Sequence, residues 1–179
     1  MKHPPLRAPG LASDRPASPA DGLPPAPAMG LRPPLPPVMV CADMAAATTA
    51  LEAQLGRCRR QARRATVLWV QGASGAADDA LPDLLQAMGQ RLRHRVRASD
   101  GVLQVAAQGF VVLLADADAA AASGVCARLR AVLQGPYRGA GGRAAALLPL
   151  HLGMAVHGSD GHSAQALLLL ATLRAAAPD

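Results

Sequence analysis

With 179 residues the chain has room for one domain and a tail, and none for two full domains. A formal net charge of +6 favours anionic partners without choosing among nucleotide, nucleic acid, acidic membrane surface and acidic protein, and one Trp, one Tyr and one Phe leave the core to Leu, Val, Ala and Met. Three widely spaced cysteines (Cys41, Cys58, Cys126) exclude a disulfide framework and a CxxC zinc site and fit a reducing cytoplasm, and every apolar run is far shorter than the roughly 18–20 residues of a membrane span.

In chain order, residues 1–37 come first and hold 12 of the 16 prolines. Proline removes backbone donors and fixes φ, so residues 1–38 are predicted to be a disordered Pro-rich tail, partly polyproline II, and residues 39–179 a folded domain. The start MKHPPLRAPG is basic but lacks an apolar stretch of signal-peptide length. The chain is expected to be soluble and cytoplasmic, meeting an inner membrane only through a partner.

Residues 42–65 form the first predicted helix, with Met44, Ala47, Leu51, Leu55 and Cys58 at helical spacing. Its second half carries Arg57, Arg59, Arg60, Arg63 and Arg64, either a solvated basic face complementing the helix dipole or a surface for an anionic partner. Thr66–Val70 is a buried strand by its β-branched and aromatic content. A second helix spans Asp78 to Arg97 on the stripe Leu81, Leu84, Leu85, Met88 and Leu92, with Pro82 in the first turn. Val102–Val105 and Phe110–Leu114 flank Ala106-Ala107-Gln108-Gly109 as a β-hairpin, in which Gly109 can take positive φ. A third helix covers Ala117–Leu133, an interrupted strand region Ala144–Leu150 and Leu152–Val156, and a last helix Ser163–Ala176. Helices alternating with strands around one hairpin give an α/β sandwich with helices packed on a mixed sheet.

The run QRLRHRVRASDGVLQVAAQGFVVLL, with His151-Leu152-Gly153-Met154-Ala155 and the helix after it, resembles the diguanylate-cyclase (GGDEF) family over roughly residues 45–176. That resemblance implies a nucleotidyl-cyclase-like fold, with a helix ending in RxxD, a strand, the GGDEF turn, and a second strand. The departures matter for chemistry. Where active members carry glycines and two acids on the turn, this chain has Ala106, Ala107, Gln108 and Gly109, so a metal neutralising a triphosphate would lack a main ligand. The family's metal-binding Asp at the end of the first strand corresponds to Gln71, the guanine-binding loop that follows is too short, and the final helix has Thr172 for the family's Asp. The resemblance therefore implies a degenerate domain: no enzyme, no catalytic residues, no metal and no cofactor.

One family motif stands intact. Arg97-Ala98-Ser99-Asp100 is RxxD, ending five residues before Ala106, and Arg128 occupies the place of a further arginine of the family's inhibitory site. The resemblance implies cyclic di-GMP as ligand at Arg97, Asp100 and Arg128. Chemistry agrees: guanidinium groups match guanine O6/N7 or phosphate in bidentate fashion, a carboxylate accepts from guanine N–H groups, and a second arginine stacks or holds phosphate. The bland alternative is a solvated helix-end ion pair, a contribution of only about 0–1 kcal/mol.

Three functions follow as alternatives: a cyclic di-GMP receptor signalling to a protein partner, by analogy in bacterial exopolysaccharide or cellulose synthesis and secretion; a nucleotide-independent scaffold; or a nucleic-acid binder on the Arg57–Arg64 face, disfavoured by the shortage of stacking aromatics. His157, Asp160 and His162 (HGSDGH) suggest a polar loop sooner than a metal site, Gly139–Gly142 (GAGG) lacks the lysine of a phosphate loop, and Asp116 and Asp118 suit a helix start.

Overall fold

The computed structural model describes residues 34–72, 81–137 and 149–177. Most of the predicted tail, the predicted helix start at Asp78, the short segment after Gln71, the Gly139–Gly142 run and residues 144–148 lie outside them. The described residues belong to one compact unit, Pro34–Asp179.

The elements are β1 (Met39–Cys41), α1 (Met44–Arg60), β2 (Ala65–Gly72), α2 (Leu81–Arg95), β3 (Gly101–Val105), β4 (Gly109–Ala115), α3 (Ala119–Leu133), β5 (Leu150–Val156) and α4 (Ala164–Ala176). Five strands form one sheet in the order β1-β3-β4-β2-β5. β1 pairs with β3 in parallel and every other pairing is antiparallel, so the sheet is mixed, as expected from the sequence.

Alternation along the central strands sorts the core into two layers. Val67 and Trp69 of β2 with Val111 and Leu113 of β4 face α1 and α4, meeting Leu51, Leu55, Leu167 and Leu168. Leu68 and Val70 with Phe110, Val112 and Leu114 face α2 and α3, meeting Met88, Leu92, Leu129 and Leu133. The sheet is covered on both sides. β4 is buried along its whole length, which is why it has no polar alternation in sequence.

Local chemistry fixes the helix ends. The side chains of Asp43, Asp118 and Ser163 cap α1, α3 and α4 by accepting from Ala46, Ala121 and Ala166 N–H. α1 stops at Arg60, short of the predicted 65, because Ala62 turns to φ 50° and the Arg63 and Ala62 N–H groups bond back to Cys58 and Arg59 carbonyls. That is a Schellman closure with alanine where glycine is usual.

The β3–β4 turn has the same character. Ala106 sits at φ 41°, donates its N–H to the Cys41 carbonyl at 2.9 Å, and is followed by a Gln108 N–H to Val105 carbonyl bond. A Cβ in this region costs about 1 kcal/mol or more, partly offset by the flexibility glycine adds to the unfolded chain. Ala106→Gly is therefore expected to raise stability by about 0.5–1 kcal/mol in urea denaturation; a loss would show that the turn does not need the left-handed conformation.

Candidate functional site

α2 ends at Arg95, and the chain turns at Arg97–Asp100 into β3. The turn is closed by the Asp100 N–H donating to the Arg97 carbonyl at 3.1 Å. Asp100 is 6% exposed. One carboxylate oxygen accepts the Arg97 N–H at 2.8 Å, and the other accepts the Ala115 N–H from the end of β4 at 3.1 Å. Thus Arg97 and Asp100 are joined, but through the arginine's backbone; the Arg97 side chain is exposed.

Beneath the turn lies Arg93, a residue that sequence reasoning passed over. It is 5% exposed, and its guanidinium donates to the Asp100 carbonyl at 2.7 Å and to the Arg97 carbonyl. Burial lowers its pKa from the ordinary arginine value, opposed by the charge of Asp100. Its spacing carried the signal. Leu85, Gly89 and Arg93 are four apart, and Leu85 and Gly89 are buried, so Arg93 extends a core-facing row of α2.

Arg128 is exposed on α3. α2 and α3 lie on the same face of the sheet, where both supply the core layer of Leu85, Met88, Leu92, Leu129 and Leu133. A surface groove between them is lined by Gln90, Arg91, His94, Arg95 and Val132. Val132 is one turn beyond Arg128 on the same side of α3. Arg91 stacks over the Tyr137 ring at 4.0 Å and donates to the Gly135 and Pro136 carbonyls, fixing the far end of this groove. Arg97, in the turn after α2, and Arg128, on α3, are both exposed, with no direct contact between them among the described residues.

The hairpin turn is at the other end of β3, five residues or roughly 17 Å along the strand from Asp100. It abuts the end of β2, as the pairing Val70↔Phe110 shows. A Cβ on Gly109 would stand 2.6 Å from the Val70 carbonyl oxygen and 3.1 Å from the Trp69 ring. Gln71 is turned to local use, its side-chain oxygen accepting from the Trp69 indole N–H at 3.3 Å.

The HGSDGH loop is held by ion pairing. Asp160 takes a two-point contact from Arg174, both at 2.9 Å, and the Val156 N–H at 2.8 Å, while Arg174 also donates to the Met154 carbonyl. Arg174 and the Val156 N–H hold the Asp160 carboxyl below its ordinary range. The His157 and His162 rings meet edge to face at 5.6 Å, and burial, with Arg59 and His162 beside it, keeps His157 below the usual imidazole range. Among the described residues no group of three or more His, Cys, Asp and Glu side chains is placed to hold a metal ion. Part of the basic α1 end is likewise paired internally, Arg59 with Glu52 and Arg64 with Asp118. No helix among the described residues is long and apolar enough to cross a membrane.

No family model matches the chain, and no curated protein does. Solved structures match in fold. The GGDEF domain of YfiN (TpbB) from Pseudomonas aeruginosa is 24% identical with a TM-score of 0.65, over 74% of this chain and 86% of that one. The FimX GGDEF domain from Pseudomonas aeruginosa is 15% identical with a TM-score of 0.62, over 72% and 85%. The GGDEF domain of DgcB from Caulobacter crescentus, solved in complex with c-di-GMP, is 8% identical with a TM-score of 0.60, over 75% and 80%. The fold of this chain is thus the fold of GGDEF domains.

Proposed function

We propose that this domain is a catalytically inactive receptor for cyclic di-GMP, binding it at Arg97, Asp100 and Arg128 and passing the signal to a protein partner. What supports the reading is a turn bearing Arg97 that is held by both Asp100 carboxylate oxygens, together with an exposed arginine on α3, the helix that shares a core layer with α2. The ligand is a compact dianion with two guanines; two guanidinium groups suit its phosphates and guanine acceptors. Asp100 enters such a site with each oxygen already holding one backbone N–H and one further acceptor direction left on each.

Inactivity is supported at the hairpin. The turn carries no carboxylate, and an acid could not be restored at residue 109 without pushing β2 away, because its Cβ would overlap the Val70 carbonyl. By the same analogy as the sequence resemblance, the partner belongs to bacterial exopolysaccharide synthesis or secretion, cellulose included.

Calorimetry with cyclic di-GMP tests the reading. The wild-type chain binds, and Arg97→Ala weakens binding by about tenfold to a hundredfold, the weight of one charge-assisted contact. No heat from the wild type at high ligand concentration would remove the receptor reading in favour of a scaffold. Formation of cyclic di-GMP from GTP and Mg²⁺ would overturn the inactive half of it.

A further inference from the structure

A buried arginine is costly. Removing a guanidinium from water is disfavoured by several kcal/mol, offset only by good geometry to its partners. Arg93 is 5% exposed, and its Nε has no hydrogen-bond partner, so the residue is not placed to satisfy itself. What its two terminal nitrogens do is specific. Nη1 donates to the Asp100 carbonyl at 2.7 Å and Nη2 to the Arg97 carbonyl, the first and last residues of the RxxD turn. The Asp100 carbonyl is buried with its residue, so Arg93 supplies it a donor from within the fold, and the same fork reaches the Arg97 carbonyl.

We infer that Arg93 is the positioning residue of the ligand site: its guanidinium fork locks both ends of the Arg97–Asp100 turn and so fixes the backbone from which the Arg97 side chain reaches the ligand. The inference rests on the reading of Arg97 as a ligand contact and adds a residue to it. The planar fork holds two carbonyls at a fixed separation, which a lysine ammonium on its flexible stem does less well. The Arg97 carbonyl also accepts the Asp100 N–H, and the Asp100 carboxylate accepts the Arg97 N–H. The backbone from which Arg97 projects is thus held at both its N–H and its C=O. A contact presented from a fixed backbone loses less conformational freedom when ligand arrives, and that is where Arg93 acts. Arg93 itself is covered and does not touch the ligand.

The experiment is a set of cyclic di-GMP titrations on the full chain, with backbone amide NMR of the free proteins. Arg93→Met, which keeps the volume and removes the donors, weakens binding about tenfold and shifts the amides of Arg97, Ser99 and Asp100. Arg93→Lys recovers part of the affinity. Leu167→Ala, on the buried side of α4 against the opposite face of the sheet, serves as the control for destabilisation and binds as the wild type does below its melting temperature. In an Arg97→Ala background, adding Arg93→Met changes affinity by less than about twofold, because Arg93 works through Arg97.

Four outcomes overturn the inference. If the wild type does not bind, the ligand site itself is absent and the inference goes with it. If the wild type binds and Arg93→Met binds equally well, the site stands and Arg93 has no part in it. Equal weakening by Leu167→Ala reduces Arg93 to fold stability alone. Multiplying effects of Arg93→Met and Arg97→Ala show that the two act separately.

Discussion

Gly153→Ala is expected to destabilise the domain by about 3 kcal/mol, at the upper end of the ordinary cost of overpacking, and to lower the melting temperature by roughly 10 °C. Gly153 is in the middle of β5, opposite Trp69 of β2, and faces α4. A Cβ there would lie 2.0 Å from the Ala171 carbonyl oxygen, 2.4 Å from the Ala175 nitrogen and 3.0 Å from the Arg174 carbonyl carbon. All three atoms are helix backbone, so no side chain can rotate aside; α4 would have to lift as a body. The helix meets the strand through small residues, Ala171 at 0% and Ala175 at 4% exposure, and so its main chain lies directly on the sheet. Lifting it would also break the Arg174 contacts with the Met154 carbonyl and Asp160. Circular dichroism melts decide the matter, with Gly124→Ala on α3 as the contrast. No atom lies within 4 Å of a Cβ at Gly124, so helix propensity alone acts and stability should rise by about 0.5–1 kcal/mol. A Gly153→Ala protein melting within about 2 °C of the wild type would show that α4 is free to shift.

The two glycines look alike in sequence, and that marks the limit of what pattern reveals. Periodicity placed each helix among the described residues, the hairpin and the strand run Leu152–Val156, because helical stripes such as Leu51–Leu55–Cys58 and apolar runs such as Phe110–Leu114 are local signals. β1 was not anticipated. It has three residues, Met39 and Val40 are half or more exposed, and its pairing with Leu103–Val105 lies some 64 residues away in the chain, so nothing local marks it. Helix ends erred where alanine does the work of glycine: no punctuation announces the stop at Ala62.

At the candidate site the sequence pointed to the exposed Arg97 and Arg128 and the buried Asp100, but not to the arginine beneath the turn. Arg97, Asp100 and Arg128 were named from motif spacing, and their meeting on a ligand remains the proposal made above. Arg93 was hidden in an arginine-rich stretch, RLRHRVR, where composition gives no reason to single out one guanidinium. Its burial follows from the row Leu85–Gly89–Arg93, and a charge on a core-facing row is the kind of local conflict that points to a specific job. Gly153 escaped for the opposite reason, since a glycine in a strand tells of close approach without telling what approaches.

Asp100 gives the second large effect, and it bears on how the ligand site is tested. Asp100→Ala is expected to cost about 3–5 kcal/mol, the range for breaking up a buried charged network. The change orphans the N–H groups of Arg97 and Ala115, each worth about 1–3 kcal/mol when left buried and unmade, and strips Arg93 of its counter-charge. Asp100→Asn should cost less, about 2 kcal/mol, because the amide oxygen can keep one N–H while the amide nitrogen faces the other. Arg97→Ala should change stability by under about 0.5 kcal/mol, since its exposed side chain makes no described contact and its structural bond is through the backbone N–H, which alanine retains. Urea titrations with unchanged m-values measure all three. If Asp100→Ala unfolds at the wild-type midpoint, the acid is free to serve a ligand rather than the fold. The predicted order, Ala costlier than Asn at residue 100 and Arg97→Ala near zero, means that lost binding in Asp100→Ala reports first on the turn. Arg97→Ala reports on the ligand.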